Sequence, residues 1–387
     1  MPSSVLISPS GEQRARAGHA WIYRSDVVDA RAEGGEIVQV LGSRHRTVGY
    51  ALFSDRSQIA IRMLTHGDTP VGLPLLRARI EQAIAFRDRL ALDANAVRLV
   101  HGEADLLPSL VVDRYGEYLV VQALSQGMDR LLPEITNILV EIAAPVGILA
   151  RNDPKVRALE GLEQTVEVLY GTVPESAGAR EGPVEYDVDL RKGQKTGLFL
   201  DQRENKEAAA HYARGRLLDC FSYHGGFALR LAGQCPHAEA IDVSADAVAH
   251  IRANAQRNNV PHLEAREANV FDELRRLERA GERYDTIVLD PPAFAKNKAS
   301  LPNARAGYKE INLRAMRLLS PGGHLITCSC SYHVSEAMFG EMLHEASVDS
   351  RTSISLVEKR MQGRDHPVLL GVPETHYLKC FILRRVE

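Results

Sequence analysis

Apolar and polar residues alternate in short runs through the first part of the chain. The strings GGEIVQVL, TVGYALFS and QIAIRML have the period-two pattern of half-buried β-strands. After THGDTPVGLPL the spacing of the apolar residues becomes helical, and a stretch that mixes strand and helix patterns follows. These changes predict a small β-rich domain over residues 1–72 and a mixed α/β middle domain over residues 73–182.

From residue 183 onward, apolar strands alternate with helical segments. The predicted strands are RLLDCF, HAEAIDV, YDTIVLD and GGHLITCSC. Strands that alternate with helices indicate a parallel sheet covered on both faces. The string ETHYLKCFILRRV predicts one more strand, antiparallel to its neighbours at the end of the sheet. We therefore predict an α/β protein whose third domain, residues 183–387, is Rossmann-like.

Composition narrows the class of protein. The chain has 387 residues, of which 45% are apolar and 25% charged, as expected of a globular protein of two or three domains. It has no apolar run long enough to span a membrane and no signal-peptide pattern, so we expect a cytoplasmic protein. The formal net charge of −3 does not indicate a nucleic-acid binder, and any RNA contact would use local basic patches.

Two adjacent glycines follow the first strand of the predicted third domain. RLLDCF runs into SYHGGFALRLA, where Gly225 and Gly226 allow the backbone to turn tightly and approach a ligand. The next strand ends in Asp242, about 20 residues on, where an acidic side chain typically accepts from ribose hydroxyls. Together with Asp219, these residues predict a nucleoside cofactor site. The alternative is a generic α/β turn with a capping aspartate.

Two further strand ends carry candidate binding residues. LEAREANVFDEL places Asn269 where a polar side chain can hold an adenine edge. YDTIVLDPPAF ends its strand with Asp290, after which Pro291 and Pro292 stiffen the backbone and Phe294 offers a flat face to a planar ring. The alternative interpretation of Asp-Pro-Pro is a rigid turn.

Cys328 and Cys330 are separated by one serine at the end of GGHLITCSC, so strand alternation places them on the same face. No Cys/His cluster with ligand spacing accompanies them, so we expect no metal. A disulfide between residues two apart would be strained. A packing role and a nucleophilic role remain. Cys330 lies farther toward the carboxyl end of the strand, where ligands gather.

The order of glycine loop, acidic strand end, DPPAF and TCS resembles class I S-adenosylmethionine-dependent methyltransferases. More specifically, the chain resembles bacterial 23S rRNA 5-methylcytosine methyltransferases that carry an N-terminal PUA module. GHAWIYRSDV is similar to part of that module, and GEADLLPSLVVDRYGEYLVVQ to the family's middle domain. GQKTGLFLDQRENK resembles the entry to its catalytic domain. The likeness covers essentially the whole chain.

The resemblance implies S-adenosyl-L-methionine as cofactor and a role for each residue that matches the family's motifs. The residues that it places near the cofactor are Gln202, Arg203, Asp219, Phe221, Gly225, Gly226, Asp242, Asn269 and Asp290. It implies that Cys330 and Asp290 are catalytic, with Pro291, Pro292, Phe294 and Lys296 as substrate-binding residues. The family usually has aspartate at the position of Asn269. Many 5-methylcytosine enzymes have a second cysteine, assigned to product release, at the position of Ala293.

The chemistry implied by the resemblance needs a thiolate. Attack on carbon 6 of cytosine makes carbon 5 nucleophilic enough to accept a methyl group, and a base then removes the proton from carbon 5. The base must be unstacked, which favours protein-free 23S rRNA or an early assembly intermediate as substrate. The family is often homodimeric. Two alternatives remain: an enzyme that methylates an exocyclic nitrogen of adenine or guanine without a cysteine, and a non-catalytic RNA-binding or assembly factor.

Overall fold

The computed structural model describes residues 3–295 and 297–387. The chain forms two compact units, and neither is one continuous stretch of sequence. The first unit comprises Met1–Ala179, Val188–Leu200 and Arg364–Thr375. The second unit comprises Arg180–Asp187, Asp201–Gly363 and His376–Glu387. The three-domain division drawn from the sequence, with boundaries after residues 72 and 182, stays a prediction.

The first unit begins with a six-stranded sheet. Its strands are β1 (Ser4–Ile7), β2 (Trp21–Tyr23), β3 (Val27–Arg31), β4 (Ile37–Leu41), β5 (Thr47–Phe53) and β6 (Ile59–His66). They lie in the order β2-β6-β5-β4-β1-β3, and α1 (Pro9–Arg16) follows β1. Alternate residues such as Val38 and Val40 of β4 are buried, as the period-two pattern requires. The β-rich character predicted for this part of the chain is confirmed.

A five-stranded sheet with helices forms the rest of this unit. Its strands are β7 (Ala96–His101), β8 (Leu110–Tyr115), β9 (Tyr118–Ala123), β10 (Gly147–Asn152) and β11 (Thr165–Gly171), in the order β11-β10-β9-β8-β7. The helices are α2 (Leu73–Arg89), α3 (Gln126–Arg130), α4 (Leu132–Ala143) and α5 (Val156–Leu159). Leu76 and Ile80 of α2 pack with Leu139 of α4 in the core that this sheet covers.

Residues 364–375, the return segment, supply polar groups to the interior of the first unit. Asp365 and His366 are 0% and 2% exposed. The Asp365 carboxylate accepts from the backbone N of Arg98 at 3.0 Å, and its carbonyl accepts from Nη2 of Arg87 at 2.9 Å. The His366 ring lies 5.0 Å from the ring of His101. Sequence periodicity gave no signal for these long-range contacts.

The second unit contains a seven-stranded sheet. A two-stranded sheet of β12 (Ser176–Glu181) and β13 (Val184–Asp189) precedes it in the chain. The strands of the large sheet are β14 (Arg216–Cys220), β15 (His237–Asp242), β16 (Leu263–Glu267), β17 (Tyr284–Leu289), β18 (Leu319–Ser329), β19 (Ile354–Arg360) and β20 (Lys379–Arg385). The helices are α6 (Arg203–Ala210), α7 (Gly226–Ala232), α8 (Ala245–Arg257), α9 (Val270–Arg279), α10 (Leu301–Leu318) and α11 (Glu336–Ser350).

The order of the large sheet is β16-β15-β14-β17-β18-β20-β19. The first five strands are parallel, and β20 runs antiparallel between β18 and β19. The parallel α/β sheet and the antiparallel direction of β20 are therefore confirmed, but β19, not β20, is the strand at the end of the sheet. The sequence analysis missed β19, because its side chains are mostly exposed or half-buried and lack an apolar run. No helix within the described residues is long and apolar enough to cross a membrane.

Candidate active site

Strands β14 and β17 lie side by side at the centre of the seven-stranded sheet. From β14 the chain proceeds to β15 and β16 on one side, and from β17 to β18 on the other. In open α/β sheets, ligands bind beyond the carboxyl ends of the strands at such a switch point. Asp219 lies near the end of β14, Asp242 ends β15, and Asp290 directly follows β17. The fold thus brings the three predicted carboxylates to the same edge of the sheet.

The loop between β14 and α7 has an unusual backbone. Phe221, Tyr223 and Gly225 have φ of 62°, 51° and 82°. Non-glycine residues in this region cost about 1–3 kcal/mol each, and such strain is concentrated at functional sites. A Cβ at Gly226 would lie 3.3 Å from Cδ of Lys206, so the start of α7 passes close to that side chain. The predicted glycine loop is therefore both tightly packed and strained.

Asp219 fixes the shape of this loop. One carboxylate oxygen accepts from Ser222 Oγ at 2.5 Å and from the backbone N of Ala228 at 3.0 Å. The other oxygen is buried and has no hydrogen-bond partner among the described residues. Burial raises the pKa of Asp219 to about 7, and the charges of Asp290 and Asp242 act in the same direction. A ligand that donates a hydrogen bond or carries a positive charge would satisfy the second oxygen.

We expect Asp219→Asn to stabilise the cofactor-free protein, and more so at high pH. The native pKa of about 7 lies above the unfolded value of about 3.9, so the contribution of Asp219 to stability is lost as pH rises between these values. Asparagine keeps an oxygen acceptor and has no charge to desolvate. Thermal unfolding should show a larger gain in Tm at about pH 8 than at about pH 5. Asp246→Asn, at an exposed aspartate of α8, is the control. An equal gain at both pH values would contradict the assignment.

Asp242 joins the glycine loop to the turn after β15. Its two carboxylate oxygens accept from the backbone N of Tyr223 at 2.9 Å and of Ser244 at 3.0 Å. Each carboxylate oxygen can accept a further bond. The acidic strand end therefore keeps capacity for hydroxyl donors while it holds the loop.

Gln202 connects the DQRENK segment with Asp290. Its Nε2 donates to Oδ1 of Asp290 at 2.9 Å, and its Oε1 accepts from Nδ2 of Asn205 at 2.6 Å. Gln202 and Asn205 are 3% and 1% exposed. The two buried amide side chains therefore orient one oxygen of Asp290. The predicted residues Gln202 and Asp290 are in direct contact.

Arg203 lies in a second buried cluster. Its Nε is 4.0 Å from the carboxylate of Glu181, with which Lys206 also forms an ion pair. Lys206 lies over the ring of Tyr186 at 5.7 Å and beside Gly226. Buried ion pairs of this kind favour one arrangement of the groups around them. Sequence analysis identified Arg203 but missed Glu181 and Lys206.

Asn269 caps helix α9. Its Oδ1 accepts from the backbone N of Phe271 at 3.0 Å and of Asp272 at 3.4 Å. This leaves the amide nitrogen, which can only donate, for contact with a ligand. An adenine edge held here would therefore present a ring nitrogen rather than its amino group. The role of Asn269 toward adenine stays a prediction.

Asn269→Asp should bind the cofactor more tightly. Aspartate can cap α9 with one oxygen and offer the other as acceptor to the adenine amino group. One added hydrogen bond of about 1 kcal/mol corresponds to roughly fivefold in affinity. Calorimetry with S-adenosylhomocysteine measures this change. Asn137→Asp, the same replacement at an exposed site in α4, is the control. Unchanged or weaker binding would count against contact with the amino group.

The DPPAF loop packs against the core through Phe294. Its ring centroid lies 4.7 Å from that of Tyr308, 5.9 Å from Phe271 and 6.4 Å from Phe221. Phe294 is thus half-buried in a cluster of aromatic rings, and stacking of a base on it stays a prediction. Within the loop Pro291 is buried and Pro292 is exposed. The predicted substrate-binding residue Lys296 lies outside the described residues.

Cys330 lies just beyond the end of β18. It is half-buried, whereas Cys220, Cys235, Cys328 and Cys380 are buried. Its Sγ is 3.7 Å from the carbonyl oxygen of Pro291, so the thiol lies directly against the loop that carries Asp290. Burial raises the pKa of Cys328 well above its ordinary value, which keeps that thiol protonated. Of the two cysteines at this strand end, Cys330 is the accessible one.

Sequence analysis missed the groups that hold Cys330 in place. Ser331 Oγ accepts from the backbone N of Ala295 at 3.2 Å and lies 3.0 Å from the hydroxyl of Tyr308. The buried ammonium of Lys379 donates to the carbonyl of Ser331 at 2.8 Å. A lysine inside the apolar string YLKCFIL was the available signal for this residue, because lysine is rarely buried in a strand.

Comparison with known proteins identifies the family. A family model described as a PUA-like domain matches residues 5–66, and one described as an S-adenosylmethionine-dependent methyltransferase matches residues 150–384. Curated relatives named Ribosomal RNA large subunit methyltransferase I include one from Tolumonas auensis, 36% identical over 100% of both chains. One from Erwinia tasmaniensis is 36% identical over 99% of this chain and 100% of the relative.

Solved structures show the same fold. A methyltransferase from Streptococcus mutans superposes with a TM-score of 0.84 at 19% identity, covering 98% of this chain and 99% of that one. A methyltransferase solved with S-adenosylhomocysteine superposes with a TM-score of 0.86 at 19% identity and the same coverage. The buried oxygen of Asp219 and the acceptor capacity of Asp242 fit the ammonium and hydroxyl donors of S-adenosylmethionine. The chain belongs, with its full-length curated relatives, to the S-adenosylmethionine-dependent methyltransferase family, carries a PUA-like domain ahead of the methyltransferase part, and uses S-adenosylmethionine as its cofactor.

Proposed function

We propose that this chain methylates carbon 5 of a cytosine in 23S ribosomal RNA. The name of its full-length relatives and its PUA-like domain support a large-subunit rRNA substrate. One observation carries the choice of carbon 5: a half-buried thiol, Cys330, lies 3.7 Å from the backbone of the loop that presents Asp290. Methylation of an exocyclic nitrogen needs no thiol at this place.

In the proposed mechanism Cys330 is the nucleophile. Its thiolate adds to carbon 6 of cytosine, and the electron pair of the C5–C6 double bond moves so that carbon 5 becomes enamine-like. When bound, S-adenosylmethionine supplies the electrophilic methyl group that carbon 5 takes up. A base then removes the proton from carbon 5, the double bond re-forms, and Cys330 leaves as thiolate.

Asp290 orients the cytosine and stabilises the charge that develops on it. Gln202 Nε2 donates to Oδ1 of Asp290 and so orients the carboxyl group. In the proposed complex this carboxyl group faces N3 and the neighbouring amino group of the ring. Negative charge accumulates at N3 as sulfur attacks, so a hydrogen bond donated to N3 by the protonated carboxyl group of Asp290 stabilises the transition state more than the ground state. Ala293 offers no thiol for the release step, which must use a different group.

Methylation of protein-free rRNA tests the proposal. The protein would be incubated with 23S rRNA, 16S rRNA or intact large subunits and methyl-labelled S-adenosylmethionine, and the product digested to nucleosides. We expect 5-methylcytidine from free 23S rRNA, because the target base must be unstacked to be reached. Methylation of the adenine or guanine amino group would instead assign the alternative without a cysteine. Cofactor binding without transfer to any of these RNAs would contradict both.

A further inference from the structure

Lys379 is a buried cation at the start of an apolar strand. The first five residues of β20 are buried, and Lys379 is 3% exposed. Its Nζ donates to the carbonyl oxygens of Ser331 at 2.8 Å and Tyr377 at 2.9 Å. An ammonium has three donors, and both of these acceptors are neutral. A buried charge is costly unless an opposite charge offsets it, so the environment of Lys379 needs an explanation.

Lys379 has no carboxylate partner among the described residues. Its hydrogen bonds go to the two carbonyls, and the single charge that raises its pKa is that of the Cys330 thiolate. Burial, the larger effect, lowers the pKa of Lys379 to about 8. At neutral pH the amine therefore remains mostly protonated, and Cys330 is the group whose ionisation would offset its charge.

Lys379 contacts the residues on both sides of Cys330. Lys379 pairs across the strands with Ser329, the residue before Cys330. Its ammonium bonds the carbonyl of Ser331, the residue after Cys330. Both neighbours of the cysteine are thus tied to the same lysine.

Among the described residues, the buried titratable groups that flank Cys330 from α10, β17, β18 and β20 are tyrosines, thiols and a carboxyl group. Tyr308 of α10 has its pKa raised to about 12 by burial and stays neutral. Cys328 of β18 and Cys380 of β20 are buried thiols that face each other, and Asp290 follows β17. Tyr377 donates its hydroxyl to Asp201 at 2.7 Å. These groups do not favour a negative sulfur, whereas the ammonium of Lys379 does.

We propose that Lys379 is a positioning residue whose buried ammonium stabilises the thiolate of Cys330. This inference rests on the proposed function, in which that thiolate attacks carbon 6. The thiol proton goes to solvent, and no bond forms between the two side chains. In the adduct the sulfur is a neutral thioether and the attraction disappears. Lys379 therefore raises the fraction of Cys330 that is ionised and ready to attack. When the C–S bond breaks, the thiolate returns beside the ammonium, which favours release.

The test is the pH dependence of Cys330 alkylation in the full chain without RNA or cofactor. Iodoacetamide reacts with the thiolate, and mass spectrometry resolves Cys330 from the other cysteines. We expect Lys379→Met to raise the pH midpoint of alkylation by about one unit or more, because a nearby cation is lost. Lys379→Arg should keep the midpoint of the unaltered chain. Lys359→Met, which removes an exposed lysine of the adjacent strand β19, should leave it unchanged. An unchanged midpoint in folded Lys379→Met would overturn the proposal.

A reciprocal measurement leaves Lys379 in place. Linkage requires that, if the ammonium stabilises the thiolate, the thiolate stabilises the ammonium equally. NMR titration of lysine ε-carbons should therefore show a lower midpoint for Lys379 in Cys330→Ala than in the unaltered chain, and an unchanged midpoint would also overturn the proposal. Neither measurement involves methyl transfer. Failure of the lysine proposal is therefore distinguishable from failure of the carbon-5 mechanism, which the product nucleoside reports.

Discussion

Cys330→Ala should abolish methyl transfer to RNA while leaving cofactor binding intact. Without the thiolate, carbon 5 of cytosine is not nucleophilic enough to take the methyl group, and loss of an enzymatic nucleophile typically costs about 10⁴-fold or more. Cofactor binding should persist because the Sγ of Cys330 lies against the Pro291 carbonyl, in the DPPAF loop rather than in the glycine loop. Transfer of labelled methyl to 23S rRNA, with calorimetry of S-adenosylhomocysteine binding, measures both effects.

Covalent trapping gives the positive counterpart. RNA that contains 5-fluorocytosine should remain attached to the enzyme, because fluorine on carbon 5 cannot be removed as a proton is. The complex should survive a denaturing gel with the unaltered chain and be absent with Cys330→Ala. Cys235→Ala replaces a buried cysteine beyond α7 and should trap as well as the unaltered chain. If Cys330→Ala also formed the covalent complex, the nucleophile would be a residue other than Cys330.

Asp290 is expected to have the second-largest effect. Asp290→Asn keeps an oxygen that can accept from Gln202 but replaces the acid by a neutral amide, so the loop should retain its shape. Loss of one group that stabilises developing charge costs about 10²–10³-fold in kcat. We expect a loss of this size for Asn and a larger one for Ala, because alanine also frees Gln202. Single-turnover methylation of 23S rRNA fragments measures the rate.

The control for Asp290 must remove a carboxylate without touching the site. Asp246→Asn, on the exposed side of α8, meets this requirement. KM for RNA separates two explanations, since a group needed only to bind the base would change KM more than kcat. A kcat for Asp290→Asn within a few-fold of the unaltered chain would remove Asp290 from the chemistry.

The arrangement of the acidic strand ends was predictable from the sequence because it follows from local patterns. Asp219, Asp242 and Asp290 each end or closely follow an apolar strand, and in a parallel sheet all carboxyl ends meet at one edge. The fold class and the antiparallel strand β20 follow from the same reasoning. Strand β19 was not predicted, because an edge strand with exposed side chains has no apolar run.

The supports of the site were not predictable in this way. Glu181 meets Lys206 across 25 positions, and Ser331 meets Ala295 across 36, and no periodicity encodes such pairs. Asn269 was expected to contact a ligand, but its side-chain oxygen caps α9. Asparagine is a common capping residue at the start of a helix. Residues that touch a ligand sit at recognisable strand ends, whereas the residues that hold them are defined only by the folded chain.

During synthesis the first unit leaves the ribosome without its return segment. The backbone N of Arg98 bonds the carboxylate of Asp365, which is translated 267 positions later. At translation rates of about 5–20 residues per second, that delay is roughly 13–50 s. The hydrogen bond from Arg87 to the Asp365 carbonyl is delayed in the same way. Over this interval the unit has an incomplete interior open to water and to chaperones, and a nascent chain truncated before residue 365 would be a target for quality-control proteases.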